Sequence, residues 1–402
     1  MRPFEGRRIL LGVTGGIASY KSAWLARRLT QAGAVVDVVM TRSAREFIGA
    51  VTFEALTGRP VHHALIGEGH ALDHIRLAKA AELVIVAPAT AEFLARAAHG
   101  HADDLLLACL LATTAPVLVA PAMNDAMWSN AQVRANAAHL RAAGHIVLEP
   151  GTGPLASPDE GAGPGRMPEP DEILVHAARV LEPVQDLRGR RVVVTAGPTR
   201  EPLDPVRFLT NESTGKMGIA LAETAWRRGA EVMLIHGPLQ VAPPLGGICT
   251  RAVTTTAEMA DAVRSELEGA DVLVMAAAPA DFRPATVAGA KIKKVAGATP
   301  VPLALEPTVD ILAVTRAARP AGLIAIGFAL ETDDLEPNAA RKLAAKGLDL
   351  IVANSAREAG AGFGYDTNRV TILAADGTRE ALPLLSKTET ADAIWDRVAS
   401  RR

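Results

Sequence analysis

The sequence predicts an α/β protein made of two doubly wound, Rossmann-like domains, and three observations carry that prediction. The chain starts twice: an apolar run leading into a glycine-rich turn stands at Arg8–Ser19 (RILLGVTGGIAS) and again at Arg191–Pro202 (RVVVTAGPTREP). β-type runs alternate with alanine-rich helical stretches through both halves, the signature of parallel sheets. At 402 residues the chain is also too long for one ordinary core, since about 100–200 residues make a domain. Such a turn ends a strand at the carboxyl edge of an open sheet, where backbone N–H groups and a helix N-terminus hold a phosphate. Two starts therefore predict two nucleotide-type sites, in domains spanning 1–185 and 190–402.

In the first half the expected strands are Ile9–Val13, Val35–Met40, Leu83–Ala87, Val117–Ala120 and Ile146–Leu148; in the second, Val192–Thr195, Glu231–His236, Val272–Ala276, Leu323–Gly327 and Leu350–Val352. From 150 to 170, eleven of twenty-one residues are Gly or Pro, which reads as a lid, a functional loop or a linker. Helical Asp171–Leu181 follows it, so the loop belongs to the first domain, and the boundary falls at Glu182–Gly189.

Net charge is −2 and pI about 6.6, so nothing attracts nucleic acid or an anionic membrane broadly. The longest apolar run, Leu105–Ala112, is far short of the roughly 20 residues a membrane helix needs. Thr14, Gly15 and Gly16 interrupt the apolar stretch near the N-terminus, and no export signal is read. The two cysteines, Cys109 in that apolar run and Cys249 in an expected loop, allow at most one bridge, and the cytoplasm is the expected compartment.

A dinucleotide site would show G-x-G-x-x-G and an acid ending the second strand. Here the turn is Gly12-Val13-Thr14-Gly15-Gly16 and the second strand ends in Thr41-Arg42-Ser43, hydroxyls and a cation suited to a phosphate monoester. A mononucleotide such as FMN fits better than NAD, with a plain tight turn as the alternative. His74 opens a helix, and its bland reading is a solvated helix-end histidine. His70 shares its spacing, but no third ligand or HExxH pattern accompanies the two, so no metal is read there.

Together these residues resemble the homo-oligomeric flavin-containing cysteine decarboxylases: Pro121–Trp128 (PAMNDAMW) matches the P-x-M-N-x-x-M-W motif, with His74 and the Pro88-Ala89-Thr90 turn in place. The resemblance implies a flavodoxin-like FMN domain holding the flavin through Gly15, Gly16, Ile17, Thr41, Ser43, Pro88, Ala89, Thr90 and Met123. It makes His74 the base and Asn124 the holder of the departing carboxylate. It also implies a homo-oligomer whose sites lie between subunits. Glu92 departs from the Asn common at that position. A second departure falls in the loop. Relatives often carry a proton-donating Cys in Leu-Ala-Cys-Gly, whereas this chain has Leu155-Ala156-Ser157-Pro158. Ser157 as a relay, Asp159 as a substitute acid and a shifted alignment are the candidates.

In the second half, Asn211–Gly218 (NESTGKMG) fails the P-loop spacing. Asp281, the Lys291–Lys294 run, Lys342 and Lys346 read as a solvated face or, placed at strand ends, as cations for a triphosphate, with Asp281 or Asp310 helping to hold Mg²⁺. The stretches AGPTREPLDPVRFLTNESTGKMG, AAAPADFRP, KIKK, Ile326-Gly327-Phe328 and KLAAKGLDLIVAN resemble phosphopantothenate–cysteine ligase. That resemblance implies activation of 4′-phosphopantothenate by CTP as an acyl-cytidylate, then attack by L-cysteine. It assigns Asn211 to the acyl-nucleotide, Lys291 to the cysteine half-reaction, and Ala277, Asp281, Lys291, Asp310, Ile311, Phe328, Lys342 and Lys346 to CTP. Both resemblances meet in the bifunctional coenzyme A biosynthesis family, where the second half makes the substrate of the first. The competing readings are a non-catalytic flavoprotein that regulates a partner and a two-domain reductase, the latter opposed by the missing G-x-G-x-x-G.

Overall fold

The first half alternates strand and helix: β1 (Arg8–Val13), α1 (Ser19–Gln31), β2 (Val35–Met40), α2 (Ala44–Phe47), α3 (Ala50–Thr57), β3 (Val61–His62), α4 (Asp73–Ala80), β4 (Leu83–Ala89), α5 (Ala91–Ala98), α6 (Leu105–Ala112), β5 (Val117–Pro121), α7 (Asp125–Ser129), α8 (Ala131–Ala142), β6 (Ile146–Val147), β7 (Gly151–Pro154), β8 (Ala162–Arg166) and α9 (Pro170–Leu181). The computed structural model describes residues 3–67, 71–293, 302–331, 333–355, 357–358, 360–362 and 364–401; His70 and Lys294 lie outside the described residues. It divides into two compact units, Met1–Pro183 and Val184–Arg402.

The first unit has six parallel strands in the order β3-β2-β1-β4-β5-β6. Setting aside the two-residue edge strand β3, the order is that of flavodoxin. Strand periodicity of two splits the core between the sheet's faces. Ile9, Leu11 and Val13 of β1 pack with Leu83 and Ile85 of β4 on the α1 and α9 side. Leu10, Val84 and Val86 pack on the α5, α6 and α8 side. Every residue of β4 is buried, which is why the central strands read as unbroken apolar runs. Each such Leu or Ile contributes about 1.5–3 kcal/mol by leaving water. The topological switch lies between β1 and β4, and their carboxyl ends open the crevice where α/β ligands bind.

The Gly/Pro-rich stretch is not an irregular loop. Its ends pair as the antiparallel ribbon β7–β8, which forms a flap at that crevice.

The second unit contains β9 (Arg191–Ala196), β10 (Arg200–Pro202), β11 (Phe208–Thr210), α10 (Lys216–Arg227), β12 (Glu231–His236), β13 (Cys249–Ala252), α11 (Thr256–Glu266), β14 (Val272–Met275), β15 (Phe282–Pro284), β16 (Leu305–Pro307), α12 (Ile311–Thr315), β17 (Ile324–Glu331), α13 (Leu335–Lys346), β18 (Leu350–Ser355), β19 (Thr367–Asn368), β20 (Thr371–Ala374), β21 (Arg379–Ala381), β22 (Leu385–Ser386) and α14 (Lys387–Ala399). Its sheet runs β13-β12-β9-β14-β17-β18-β20-β21. It is parallel from β13 through β18 and closes with antiparallel β20 and β21. Cys249, expected in a loop, lies in edge strand β13 opposite Met233. All four β13 residues are exposed, so no apolar alternation marks the strand in sequence.

Candidate functional sites at two sheet edges

In the first unit a cleft of about 530 Å³ opens at the ends of β1, β4 and β5, lined by Gly15, Gly16, Ile17, Thr90, Met123 and Asn124 among others. The volume suits a small cofactor with substrate. The glycine turn is held at its base: Thr14 Oγ1 donates to Pro88 O at 2.7 Å and accepts from Thr90 N at 3.2 Å. A Cβ on Gly15 would stand 2.4 Å from Ser43 Cβ, so only glycine lets the turn approach the end of β2. Helix α1 begins with no side-chain cap and no acid in its first turn, leaving its positive end for an anion. Thr41 accepts from Ala44 N at 3.3 Å and Ser43 opens α2 without a side-chain cap bond. Thr41, Ser43, Pro88 and Ala89 do not line the cleft; Pro88 and Ser43 stand against the turn at Thr14 and Gly15. Ala89 sits in β4 facing Pro121. These residues fit a flavin mononucleotide: a glycine cradle and helix terminus for its phosphate and a deep apolar-walled cleft for its ring.

Asn124 is oriented unambiguously. Its Oδ1 accepts from Ala126 N at 2.9 Å, capping α7, so its NH₂ faces the cleft and is available to a carboxylate. The flap is stitched over this segment: Met123 N donates to Gly165 O at 2.9 Å. A Cβ on Gly165, whose φ is +148°, would meet Met123 O at 2.3 Å. Lys21, buried at 8 % exposure, reaches Glu169 Oε1 at 2.7 Å and ties the start of α9, just after the flap, to α1.

The flap places one acid at the cleft that sequence reasoning missed. Glu160 lines the cleft, whereas Ser157 and Asp159 do not. Glu160 Oε1 lies 3.5 Å from Asn124 Nδ2, and its Oε2 accepts from Ser157 N at 3.2 Å. Ser157 Oγ is itself engaged by Asp159 N at 3.3 Å. Glu160 and Asn124 are 36 positions apart, so only the flap's fold brings them together. Glu92 faces outward, 3.9 Å from Arg96.

His74 does not line this cleft. It borders a shallow, largely apolar depression with Leu65, Ile66 and Leu111, and its Nδ1 is buried without a partner among the described residues. Nearby, burial pushes the His62 imidazole below its ordinary value against the opposing pull of Asp73 and Asp37. Cys109 is packed in α6, and burial, reinforced by the Asp104 and Asp73 charges, pushes its thiol up to about 12.

In the second unit the candidate residues are spread from the strand ends to α13 and do not line one pocket. Ala277 N donates to Thr195 Oγ1 at 3.1 Å. Asn211 Nδ2 donates to Ala278 O and Pro279 O at 3.2 and 2.9 Å, which leaves its Oδ1 as the outward group. Asp281 begins the β15 segment, where its carbonyl accepts from Thr308 N at 2.9 Å. Phe328 stands in β17 one position beyond the Gly327–Met275 pair. Asp310 caps α12 through Ala313 N, with Ile311 buried behind it. Its carboxylate pairs with Lys346. Burial pushes Asp310 up, but the Lys346 bond, the Ala313 amide and the Lys342 charge together hold it below the ordinary carboxylate value. Lys291 is exposed on a loop pinned by Ile292, whose N donates to Asp204 Oδ2 at 3.1 Å and whose O accepts from Arg207 at 2.6 Å. Among the described residues no three His, Cys, Asp or Glu side chains converge on a metal position, and no helix is long and apolar enough to cross a membrane.

Comparison with known proteins follows the same division. Residues 2–182 match the family model described as Flavoprotein, and residues 187–401 match the DNA/pantothenate metabolism flavoprotein C-terminal domain. The coenzyme A biosynthesis bifunctional protein CoaBC of Mycolicibacterium smegmatis is 46% identical over 98% of this chain and 97% of its own. The Bacillus subtilis protein of that name is 45% identical over 98% and 97%. Among solved structures, a PPC decarboxylase mutant complexed with pantothenoylaminoethenethiol is 28% identical, covering 43% of this chain and 97% of its own, with a TM-score of 0.40. With full-length relatives at this identity and both halves matched in order, the chain belongs to the family of bifunctional coenzyme A biosynthesis enzymes.

Proposed function

We propose that this chain carries out two consecutive reactions: CTP-dependent ligation of L-cysteine to 4′-phosphopantothenate in the second unit, and decarboxylation of the resulting phosphopantothenoylcysteine in the first. The observation that carries the second reaction is Asn124, whose amide is fixed by its own cap so that NH₂ points into the cleft across from the glycine turn. FMN bound there would supply the two-electron oxidation of the cysteinyl thiol, which makes the adjacent carbon–sulfur group the acceptor of the electron pair left by CO₂. Asn124 grips the carboxylate, and the apolar walls exclude water while CO₂ leaves. His74 acts as base. Its place outside the cleft, beside exposed Ile66 and Leu111, supports a homo-oligomer in which it serves a neighbouring copy's cleft.

In the ligase unit a carboxylate oxygen of phosphopantothenate attacks the α-phosphorus of CTP and pyrophosphate leaves; the cysteine amine then attacks the acyl carbon and CMP leaves. Lys342 and Lys346 neutralise the triphosphate, Asp310 releasing Lys346 as the nucleotide arrives. Asp281 would hold Mg²⁺, which commonly takes only one or two protein carboxylates and would help neutralise the triphosphate. Asn211 supports the acyl-nucleotide and Lys291 the cysteine step. Ala277, Ile311 and Phe328 frame the base. The reactants are small molecules, and the cytoplasm is the compartment where this chemistry belongs.

The purified chain should be yellow and, given phosphopantothenate, cysteine, CTP and Mg²⁺, should release pyrophosphate and CO₂. A colourless protein that releases neither refutes the reading. Replacing CTP by ATP should abolish pyrophosphate release.

A further inference from the structure

We propose that Glu160 is the general acid of the decarboxylase cleft, delivering a proton to the carbon that has lost CO₂; this rests on the decarboxylase reading above. The chain has no thiol for that task, since Cys109 is buried in α6 and Cys249 lies in the other unit. Of Ser157, Asp159 and Glu160 in the flap, only Glu160 lines the cleft, and it stands 3.5 Å from the Asn124 amide. That amide holds the carboxylate that leaves. A group beside it therefore faces the carbon from which the carboxylate departs.

Charge supports the same assignment. Among the described residues no ion pair engages Glu160. The cleft's cations, Lys21 and Arg166, are both turned onto Glu169, at 2.7 and 3.4 Å. A substrate carboxylate arriving on Asn124 is then placed beside Glu160. When CO₂ leaves, its electron pair stays behind as the ene-thiolate, the base to which Glu160 gives its proton.

The step balances. Loss of CO₂ from the oxidised substrate leaves an ene-thiolate. Its C=C pair takes the Glu160 proton to form a C–H bond while a sulfur lone pair closes C=S. The two electrons removed earlier from the thiol, held meanwhile by the flavin, return as hydride to the thiocarbonyl carbon. A solvent proton restores the thiol, and water reprotonates Glu160.

The test uses the full-length, flavin-loaded chain given phosphopantothenoylcysteine. Glu160→Gln should keep the wild-type circular dichroism and oxidised-flavin spectrum and should release CO₂. It should then accumulate an ene-thiol lighter than product by two hydrogens, its yellow colour failing to return, with product formation down about 10²–10⁴-fold. Glu160→Asp should recover part of that loss. Product at the wild-type rate from Glu160→Gln overturns the proposal, as does a block before CO₂ release. Accumulation of the ene-thiol in Ser157→Ala or Asp159→Asn instead of Glu160→Gln overturns it as well. If the unmodified chain neither bleaches nor releases CO₂, it is the decarboxylase reading that fails.

Discussion

The two sites differ in how far they are built before anything binds. The first unit presents a formed cleft whose key donor is already aimed: Asn124 is locked by Ala126, and the glycine turn is braced by Thr14. The second spreads its candidates from strand ends to α13 and keeps some engaged elsewhere, Lys346 with Asp310 and the Lys291 loop with Asp204 and Arg207. Preorganisation suits a resident cofactor, because a rigid cradle loses little freedom on binding. A nucleotide that enters and leaves each turnover suits an edge where ion pairs exchange. The contrast makes the first site sensitive to shape and the second to charge.

Asn124→Asp should give the largest effect on CO₂ release. It keeps the cap but replaces the donor with a charge facing the substrate carboxylate. CO₂ release should fall about 10²–10³-fold, the usual cost of one preorganised donor, with pyrophosphate release intact; equal loss of both would break the contrast. Lys346→Ala should raise the KM for CTP about 10–100-fold, as for loss of a charged hydrogen bond of about 1.5–3 kcal/mol. Decarboxylation of supplied phosphopantothenoylcysteine should not change. Gly15→Ala should lower the flavin retained per chain, since fitting its Cβ costs about 1–3 kcal/mol, and absorbance against protein mass measures it. The smallest effect concerns the cysteines. With its thiol pushed up to about 12, Cys109 stays protonated at pH 8, so a thiol reagent should label only exposed Cys249 in the folded chain and both in denaturant. Equal native labelling would contradict the packing of α6.

The central strands were legible because burial on both faces turns β1, β4 and β14 into continuous apolar runs. The glycine turn and PAMNDAMW segment were legible because their chemistry is local. Three features were not. The edge strand β13, with four exposed residues, owes its existence to backbone pairing with β12. The β7–β8 flap is spelled in glycines and prolines that locally mean loop, and only its pairing shows a strand. Glu160 meets Asn124 solely through that flap, so Ser157 and Asp159 drew attention by their place in a motif while the acid at the cleft was one residue further on. Its only signal in sequence is an acid in Pro158-Asp159-Glu160 just before the glycine run.

The claim that one chain performs both reactions in sequence is tested most directly with carboxyl-labelled L-cysteine, CTP, Mg²⁺ and 4′-phosphopantothenate, following pyrophosphate and labelled CO₂ together. The account predicts labelled CO₂ appearing after a lag and approaching one per pyrophosphate, with both abolished when CTP is omitted. Pyrophosphate without labelled CO₂, or labelled CO₂ without CTP, would contradict it.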